Sequence, residues 1–266
     1  MNYQDILYGV DDGVATIRFN RPQALNAMTL RMLDETRDAF AQCARDAKVR
    51  AVVLTGEGRA FSSGADLVAN VKTPPLDAEG KLDLGLPLET HYNPLIAQMR
   101  SLPKPIICAV NGAAAGAAAN VALFADLTIA ARSAYFLQAF VNIALIPDAG
   151  GTWLLPRLVG PQRAMQLALL GERLPAETAQ QWGMIAEVVD DDALMARALE
   201  LARRLARGPT AAIARIKQAI HAASGNDLDT QLQLERTLQR DCGRGADFME
   251  GVMAFTQKRK PNFKGS

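Results

Sequence analysis

Apolar and polar positions alternate over Val14–Phe19, with Ala15, Ile17 and Phe19 on one face and Thr16 and Arg18 on the other, which predicts a half-buried strand. From Thr29 the spacing changes to three and four. Leu33, Phe40, Ala44 and Ala47 then predict the apolar side of an amphipathic helix opened by Thr29. Arg50-Ala-Val-Val-Leu-Thr55 reads as a buried strand, ended by Gly56 and Gly58. Residues 105–110 give a second such strand, leading through Asn111 and Gly112 into an alanine-rich helix, and Leu127–Ala131 gives a third. Strands and helices that alternate across short glycine-bearing joints predict an α/β fold with parallel pairing and right-handed crossovers. Residues 70–93 break the pattern. Pro74, Pro75, Gly80, Gly85 and Pro87 mark them as a loop or lid. Beyond Val189 no further strand is predicted, and 193–207, Thr210–Ala223, 228–240 and 245–258 all read as helices, with breaks at 208–209 and 224–226. The expected organisation is a core over residues 1–190 and a helical module over 191–266 used for packing or assembly.

The chain has 266 residues, 49% of them hydrophobic, enough for a sizeable buried core in one large or two small domains. A net charge of +1 supplies no general attraction to nucleic acid or anionic membrane, so neither is an expected partner. Cys43, Cys108 and Cys242 are odd in number and widely spaced, which suits neither a zinc site nor a disulfide framework. The first residues show no secretory pattern, and the small-residue run 113–125 is too short to span a bilayer. A cytoplasmic protein without metal is expected.

One carboxylate stands out. Asp148 lies in Ile-Pro-Asp-Ala-Gly-Gly-Thr-Trp (146–153), after an almost uncharged stretch from Ala134 to Pro147. Among Phe140, Ile143, Leu145, Ile146 and Trp153 it is expected to be poorly solvated, which raises its pKa into a range suited to proton transfer. The plainer alternative is a turn capped by Asp148. Upstream, the tiny side chains of 111–120 let a ligand approach the main chain. The turn Gly58–Leu67 lacks the spacing of a nucleotide loop. Either it presents a free amide near Ala65, or it is a strand–helix turn with Asp66 at the helix start. Two such amides, one from each loop, make an oxyanion hole. Asn120 serves either the site or its local backbone, Asp126 reads as structural, and His91 and His221 form no triad. Trp153 and Trp182 read as core.

Taken together, these loops resemble the crotonase family, the enoyl-CoA hydratase/isomerase superfamily. The matching pieces are Arg21-Pro-Gln-Ala-Leu-Asn-Ala-Met, Gly58-Arg-Ala-Phe-Ser-Ser-Gly-Ala-Asp-Leu and Pro103-Lys-Pro-Ile-Ile-Cys-Ala-Val-Asn-Gly, followed by Ala125-Asp126, Ile146-Pro-Asp-Ala-Gly-Gly-Thr and Gly251-Val-Met-Ala-Phe-Thr-Gln-Lys-Arg-Lys-Pro-Asn-Phe. The resemblance implies a spiral of ββα units with a C-terminal helical trimerisation region, assembling as a homotrimer or dimer of trimers. It implies an acyl-CoA thioester substrate and no separate cofactor, since coenzyme A enters with the substrate. By motif, the oxyanion-hole amides fall on Ala65 and Ala117, with Gly116 the neighbour of the second. Coenzyme A and acyl contacts fall on Ala24, Leu25, Ala27, Ser62, Ser63, Ala65, Asp66, Leu67, Gly116 and Phe140, with Phe255 and Lys258 closing the nucleotide end.

Hydratases of this family hold water between two glutamates, and the corresponding positions here are Asn120 and Phe140. The acid falls instead on Asp148. This arrangement, with His-Tyr-Asn-Pro-Leu at 91–95, resembles the ring-1,2-epoxyphenylacetyl-CoA isomerases of phenylacetate degradation. It implies an isomerase with Asp148 as base and Asn120 orienting the aspartate or substrate, also able to convert 3-enoyl-CoA to 2-enoyl-CoA. The alternatives are a hydratase with a displaced acid, an enoyl-CoA isomerase of broad range, and a non-catalytic or RNA-binding protein on the same scaffold.

Overall fold

A long buried strand, a turn of two or three residues and a three-residue strand form a unit that occurs three times in succession. In the computed structural model, which describes residues 3–72 and 74–266, these pairs are β3 (Ala51–Gly56) with β4 (Ala60–Ser62), β5 (Ile106–Val110) with β6 (Ala113–Ala115), and β7 (Leu127–Ala131) with β8 (Tyr135–Leu137). The first member of each pair joins a six-stranded sheet in the order β1-β2-β3-β5-β7-β10, and the second joins a four-stranded sheet in the order β4-β6-β8-β9. Here β1 is Ile6–Asp11, β2 Val14–Phe19, β9 Arg173–Pro175 and β10 Glu187–Val189. Only β1–β2 and β8–β9 pair antiparallel. Each turn of chain thus climbs one strand in both sheets at once, which is the ββα spiral. The expected α/β architecture with parallel pairing holds. The short strands were not expected, because three residues are too few to show a period.

The helices are α1 (Leu30–Arg45), α2 (Leu67–Lys72), the single turn α3 (Gly85–Pro87), α4 (Asn93–Ser101), α5 (Ala117–Leu123), α6 (Gly151–Leu170), α7 (Ala176–Gln181), α8 (Leu194–Ala206), α9 (Thr210–Ala223), α10 (Leu228–Gly243) and α11 (Ala246–Thr256). Thr29 caps α1 as expected, its hydroxyl accepting from Met32 N–H at 3.0 Å. The face that α1 buries is Met32, Leu33, Thr36, Ala39, Phe40 and Cys43. Ala44 and Ala47 are exposed, contrary to expectation, because the stripe turns inward through Ala39 and Cys43 instead. The alanine-rich helix also starts later than expected. Residues 113–115 are drawn into the four-stranded sheet beside β4 and β8, and the helix opens only at Ala117.

The interrupted stretch 70–93 is partly helical. Gly85–Pro87, a π-helical turn over Leu88–Tyr92 and α4 run on without a break; Thr73, within the expected lid, lies outside the described residues. At the other end, α8 buries a stripe of Leu194, Ala198, Ala202 and Ala206 against β2, β3, β5 and β7. Small side chains at every fourth position let the helix approach the sheet closely. From Leu194 onward the described elements are helices, the first of which, α8, packs directly on the sheet. The following helices are tied in by Lys217, whose ammonium donates to Asp126 Oδ2 (2.8 Å), Met99 O (3.1 Å) and Lys104 O (3.3 Å). Among the described residues no helix is long and apolar enough to cross a membrane.

Candidate active site

Because the spiral repeats, the segments that leave β4, β6 and β8 emerge side by side, and Ala65, Ala117, Asn120 and Asp148 lie on the chain that follows these strands. The loop after β4 presses on the chain after β6: a Cβ at Gly64, whose φ is 96°, would lie 2.8 Å from Ala115 O. Only glycine permits both that conformation and that approach. Beside this loop runs the segment 24–28. Ser63 N–H donates to Leu25 O (2.9 Å), Met28 N–H to Gly64 O (2.8 Å) and Asp66 N–H to Met28 O (3.0 Å). Ala65 is therefore bridged to Met28 through its two neighbours, so its own N–H points to the opposite side. Arg21 fixes the strip by donating to Ala27 O and by pairing with Asp66 at 2.8 Å. Asp66 thus binds an arginine as well as standing at the start of α2.

On the second loop one amide is already taken up within the protein. Gly116 N–H donates to Leu137 O at 2.8 Å, which leaves Ala117 as the next N–H in the chain. Neither Ala65 N–H nor Ala117 N–H meets a protein acceptor among the described residues. The turn between them needs glycine, since Gly116 has φ 55° and ψ −134°. The Phe140 ring packs against this point, 3.9 Å from where a Gly116 Cβ would sit.

Asp148 begins the turn that leads into α6, with Ala149 and Gly150 both in the left-handed region. Its carbonyl accepts from Gly151 N–H (2.8 Å) and from Asn120 Nδ2 (2.8 Å). Its carboxylate caps no later N–H, and Oδ1 is buried without a partner. Burial pushes the carboxyl pKa up to about 6. That environment was anticipated, but not its agents. Of the five residues expected to enclose Asp148, only Phe140 is buried; Ile143, Leu145 and Ile146 are exposed, the last at 80%. Trp153 is partly exposed rather than core, stacked on Phe124 with the Arg100 and Arg157 guanidinium groups near its ring. Asp148 is instead approached by Tyr92, in the π-helical turn before α4, and at its carbonyl by Asn120 of α5.

Asn120 is fully buried and both ends of its amide are occupied. Nδ2 holds the Asp148 carbonyl, and Oδ1 accepts from Gln138 Nε2 at 2.9 Å. Gln138 was not singled out in the sequence, where nothing separates it from any other glutamine. Among the described residues three buried side-chain oxygens lack a partner: Asn111 Oδ1, Gln138 Oε1 and Asp148 Oδ1. Two of the three terminate this one chain of contacts, and unpaired buried acceptors are costly enough to need a reason.

Of the remaining candidates, Ala24, Leu25 and Ala27 lie on the strip just described. Ser62 is buried with its hydroxyl accepting from Gly64 N–H (3.2 Å), while Ser63 and Leu67 are exposed. Phe255 and Lys258 stand apart, in and just beyond α11. Phe255 is 86% exposed and edges a groove of about 1140 Å³ between α9, α10 and α11, with Ala211, Ile216, Leu232, Phe248 and Val252. That groove contains none of the three unpartnered oxygens. His91 faces Asp34 and His221 faces Asp126, neither near Asp148 in the hydrogen-bond network.

Comparison with known proteins shows the family. The family described as enoyl-CoA hydratase/isomerase matches residues 9–266. A 1,2-epoxyphenylacetyl-CoA isomerase of Escherichia coli K12 is 52% identical over 260 residues, 98% of each chain. A probable enoyl-CoA hydratase of Rhodobacter capsulatus is 48% identical over 265 residues, the full length of both. Among solved structures, a putative enoyl-CoA hydratase from Streptomyces coelicolor A3(2) superposes with a TM-score of 0.92 at 34% identity, covering 100% of this chain and 96% of that one.

Proposed function

Since this chain belongs to the enoyl-CoA hydratase/isomerase family and is an enzyme acting on CoA thioesters, we propose that it is an isomerase in which Asp148 alone moves the proton. The observation that carries this reading is one desolvated carboxylate with a buried, unpartnered oxygen, together with two amides, Ala65 and Ala117, that meet no protein acceptor among the described residues. The thioester oxygen sits between those amides, so that charge passing to it on enolisation meets two fixed donors. Asp148 takes a proton from the carbon beside the thioester and returns it to a carbon farther along the conjugated system. The electron pair moves to the thioester oxygen and back, and no water is consumed. Asn120 cannot serve as a second acid or base, because it is an amide whose ends are both engaged. It positions Asp148 through the main chain. Phe140 supplies no polar atom for holding water.

Within that chemistry the substrate we favour is 2-(1,2-epoxy-1,2-dihydrophenyl)acetyl-CoA, as in phenylacetate degradation, where loss of the proton beside the thioester accompanies expansion of the epoxide to the oxepin. The support is the likeness to the Escherichia coli epoxyphenylacetyl-CoA isomerase over nearly the whole chain. Coenzyme A lies along 24–28 and 62–66. The exposed apolar groove beside Phe255 fits assembly through the C-terminal helices into a trimer or dimer of trimers, in which Phe255 and Lys258 act at a nucleotide end. The Rhodobacter capsulatus relative favours a second reading, hydration of an enoyl-CoA.

The test is to assay a 3-enoyl-CoA for isomerisation beside crotonyl-CoA for hydration, with Asp148→Asn in parallel. Isomerisation is expected to dominate and to fall by about 10²–10⁴ in the variant, the usual contribution of a general base, while acyl-CoA binding persists. Efficient hydration by the unaltered enzyme would favour the second reading. An Asp148→Asn enzyme that keeps most of its isomerase rate would remove Asp148 from the mechanism.

A further inference from the structure

Tyr92 closes the π-helical turn Leu88–Tyr92 that interrupts the helix running into α4. Such a turn displaces the side chains that follow it, and is met often at functional sites. Tyr92 and Ile96 are four residues apart on one helix face. Ile96 Cγ2 lies 3.9 Å from where a Gly150 Cβ would sit, so this face packs against the turn that carries Asp148. The phenol is only 5% exposed and its ring belongs to the core. A tyrosine so deeply buried ordinarily finds a partner for its hydroxyl. Among the described residues none pairs with Tyr92, yet its oxygen is not among those sealed from solvent. The hydroxyl is therefore unpaired among the described residues and still open to a small molecule.

The phenol lies on the helix face that packs against the turn carrying Asp148. Burial raises the Tyr92 pKa, and the carboxylates of Asp148 and then Asp66, the residue after Ala65, raise it further. It is neutral there, and a neutral phenol is a donor as well as an acceptor. An acyl group that reaches Asp148 comes beside this face. A purely hydrocarbon acyl chain would leave the hydroxyl without a partner, whereas an oxygen on that chain would satisfy it.

We propose that Tyr92 donates a hydrogen bond to an oxygen borne by the acyl group, so that the pocket prefers an oxygenated ring to an unsubstituted one. This inference rests on the acyl-CoA reading above and makes Tyr92 a specificity-determining residue that touches substrate. It requires no proton transfer by the phenol.

The experiment is equilibrium binding, without turnover, of 2-hydroxyphenylacetyl-CoA and phenylacetyl-CoA to the full-length enzyme and to Tyr92→Phe. The two ligands differ only by an oxygen on the ring carbon next to the side chain, where the epoxide would place one. The unaltered enzyme is expected to bind the hydroxylated ligand about tenfold more tightly, the scale of one buried hydrogen bond. Tyr92→Phe should erase that difference while holding phenylacetyl-CoA within about twofold. Equal weakening of both ligands, no preference in the unaltered enzyme, or a preference that survives Tyr92→Phe would each overturn the proposal. Because nothing turns over, these results do not depend on whether Asp148 is the base. Failure of both ligands to bind at all would instead strike the acyl-CoA reading beneath it.

Discussion

Asp148→Asn should make the protein's stability less dependent on pH, and the size of the effect follows from the burial of one carboxyl group. In the fold that group titrates at about 6, against 3.8 for a solvated aspartate. At acid pH the group is protonated in both states and destabilises neither. As pH rises past the unfolded value, the unfolded chain ionises while the folded chain still holds its proton, and stability is lost until pH passes the folded value. The difference of about two pK units corresponds to about 3 kcal/mol in all. Roughly half of it, about 1.4 kcal/mol, is lost between about pH 5 and about pH 7.5, a range that avoids general acid unfolding. Asparagine cannot ionise, so the variant lacks this slope, whatever constant offset its amide introduces. The assay is urea unfolding of both proteins across that range at one fixed subunit concentration, since assembly would otherwise shift the apparent stability. The variant should gain on the parent by about 1.4 kcal/mol as pH rises. A gap that stays constant with pH would show that Asp148 is solvated, and would take with it the reason for assigning it the proton. In the same range the isomerase rate of the parent should rise as pH climbs through about 6, because only the ionised carboxylate accepts a proton.

Two further substitutions separate positioning from packing. Asn120→Ala should cost about 2–3 kcal/mol, because it frees the Asp148 carbonyl and leaves Gln138 Nε2 unpaired in a buried setting. It should also lower kcat about tenfold with little change in KM, a milder loss than that of Asp148→Asn, and lowered stability at unchanged kcat would make Asn120 purely structural. Lys217→Met should cost about 3–5 kcal/mol in denaturant unfolding, since it leaves Asp126 and the Met99 and Lys104 carbonyls without their cation. Once folded, that variant should turn over normally, and a specific loss of kcat would show that the join between α9 and the core reaches the site.

The long strands and helices were legible because each spans enough residues to show a period. Val14–Phe19 alternates cleanly, and the strands at Ala51–Gly56, Ile106–Val110 and Leu127–Ala131 are apolar except for Thr55 and Thr128 because helices or a second sheet cover both faces. The three-residue strands were illegible for the opposite reason. Ala113–Ala115 is simply three alanines, and its own preference favours helix. It is a strand because Ala60 and Tyr135 lie on either side of it in register, and that contact depends on residues some fifty and twenty positions away. Ala44 and Ala47 misled for a related reason, since an alanine marks the buried side of a helix poorly.

The site shows the same division between what a residue is and what surrounds it. The isolation of Asp148 among uncharged neighbours in sequence suggested its burial, and the residue is half-buried with its Oδ1 sealed, but most of those neighbours are exposed. Ile143, Leu145 and Ile146 face outward in the single chain, whereas Asn120, Tyr92 and the helix face bearing Ile96 arrive from earlier turns of the spiral. A tyrosine in the lid and a glutamine between two hydrophobic runs carry no signal of their own, so Tyr92 and Gln138 were invisible as site residues until the fold set them beside Asp148. The amides follow a different logic. Gly64 and Gly116 were conspicuous because the main chain there must take forms closed to other residues, and that constraint frees the N–H groups of Ala65 and Ala117. Main-chain chemistry was therefore readable from glycine placement, and side-chain chemistry only from the lone acid. What the spiral adds is adjacency: β4, β6 and β8 are neighbouring strands, so the segments carrying Ala65 and Ala117 leave one sheet side by side, and β8 leads on to the segment that carries Asp148.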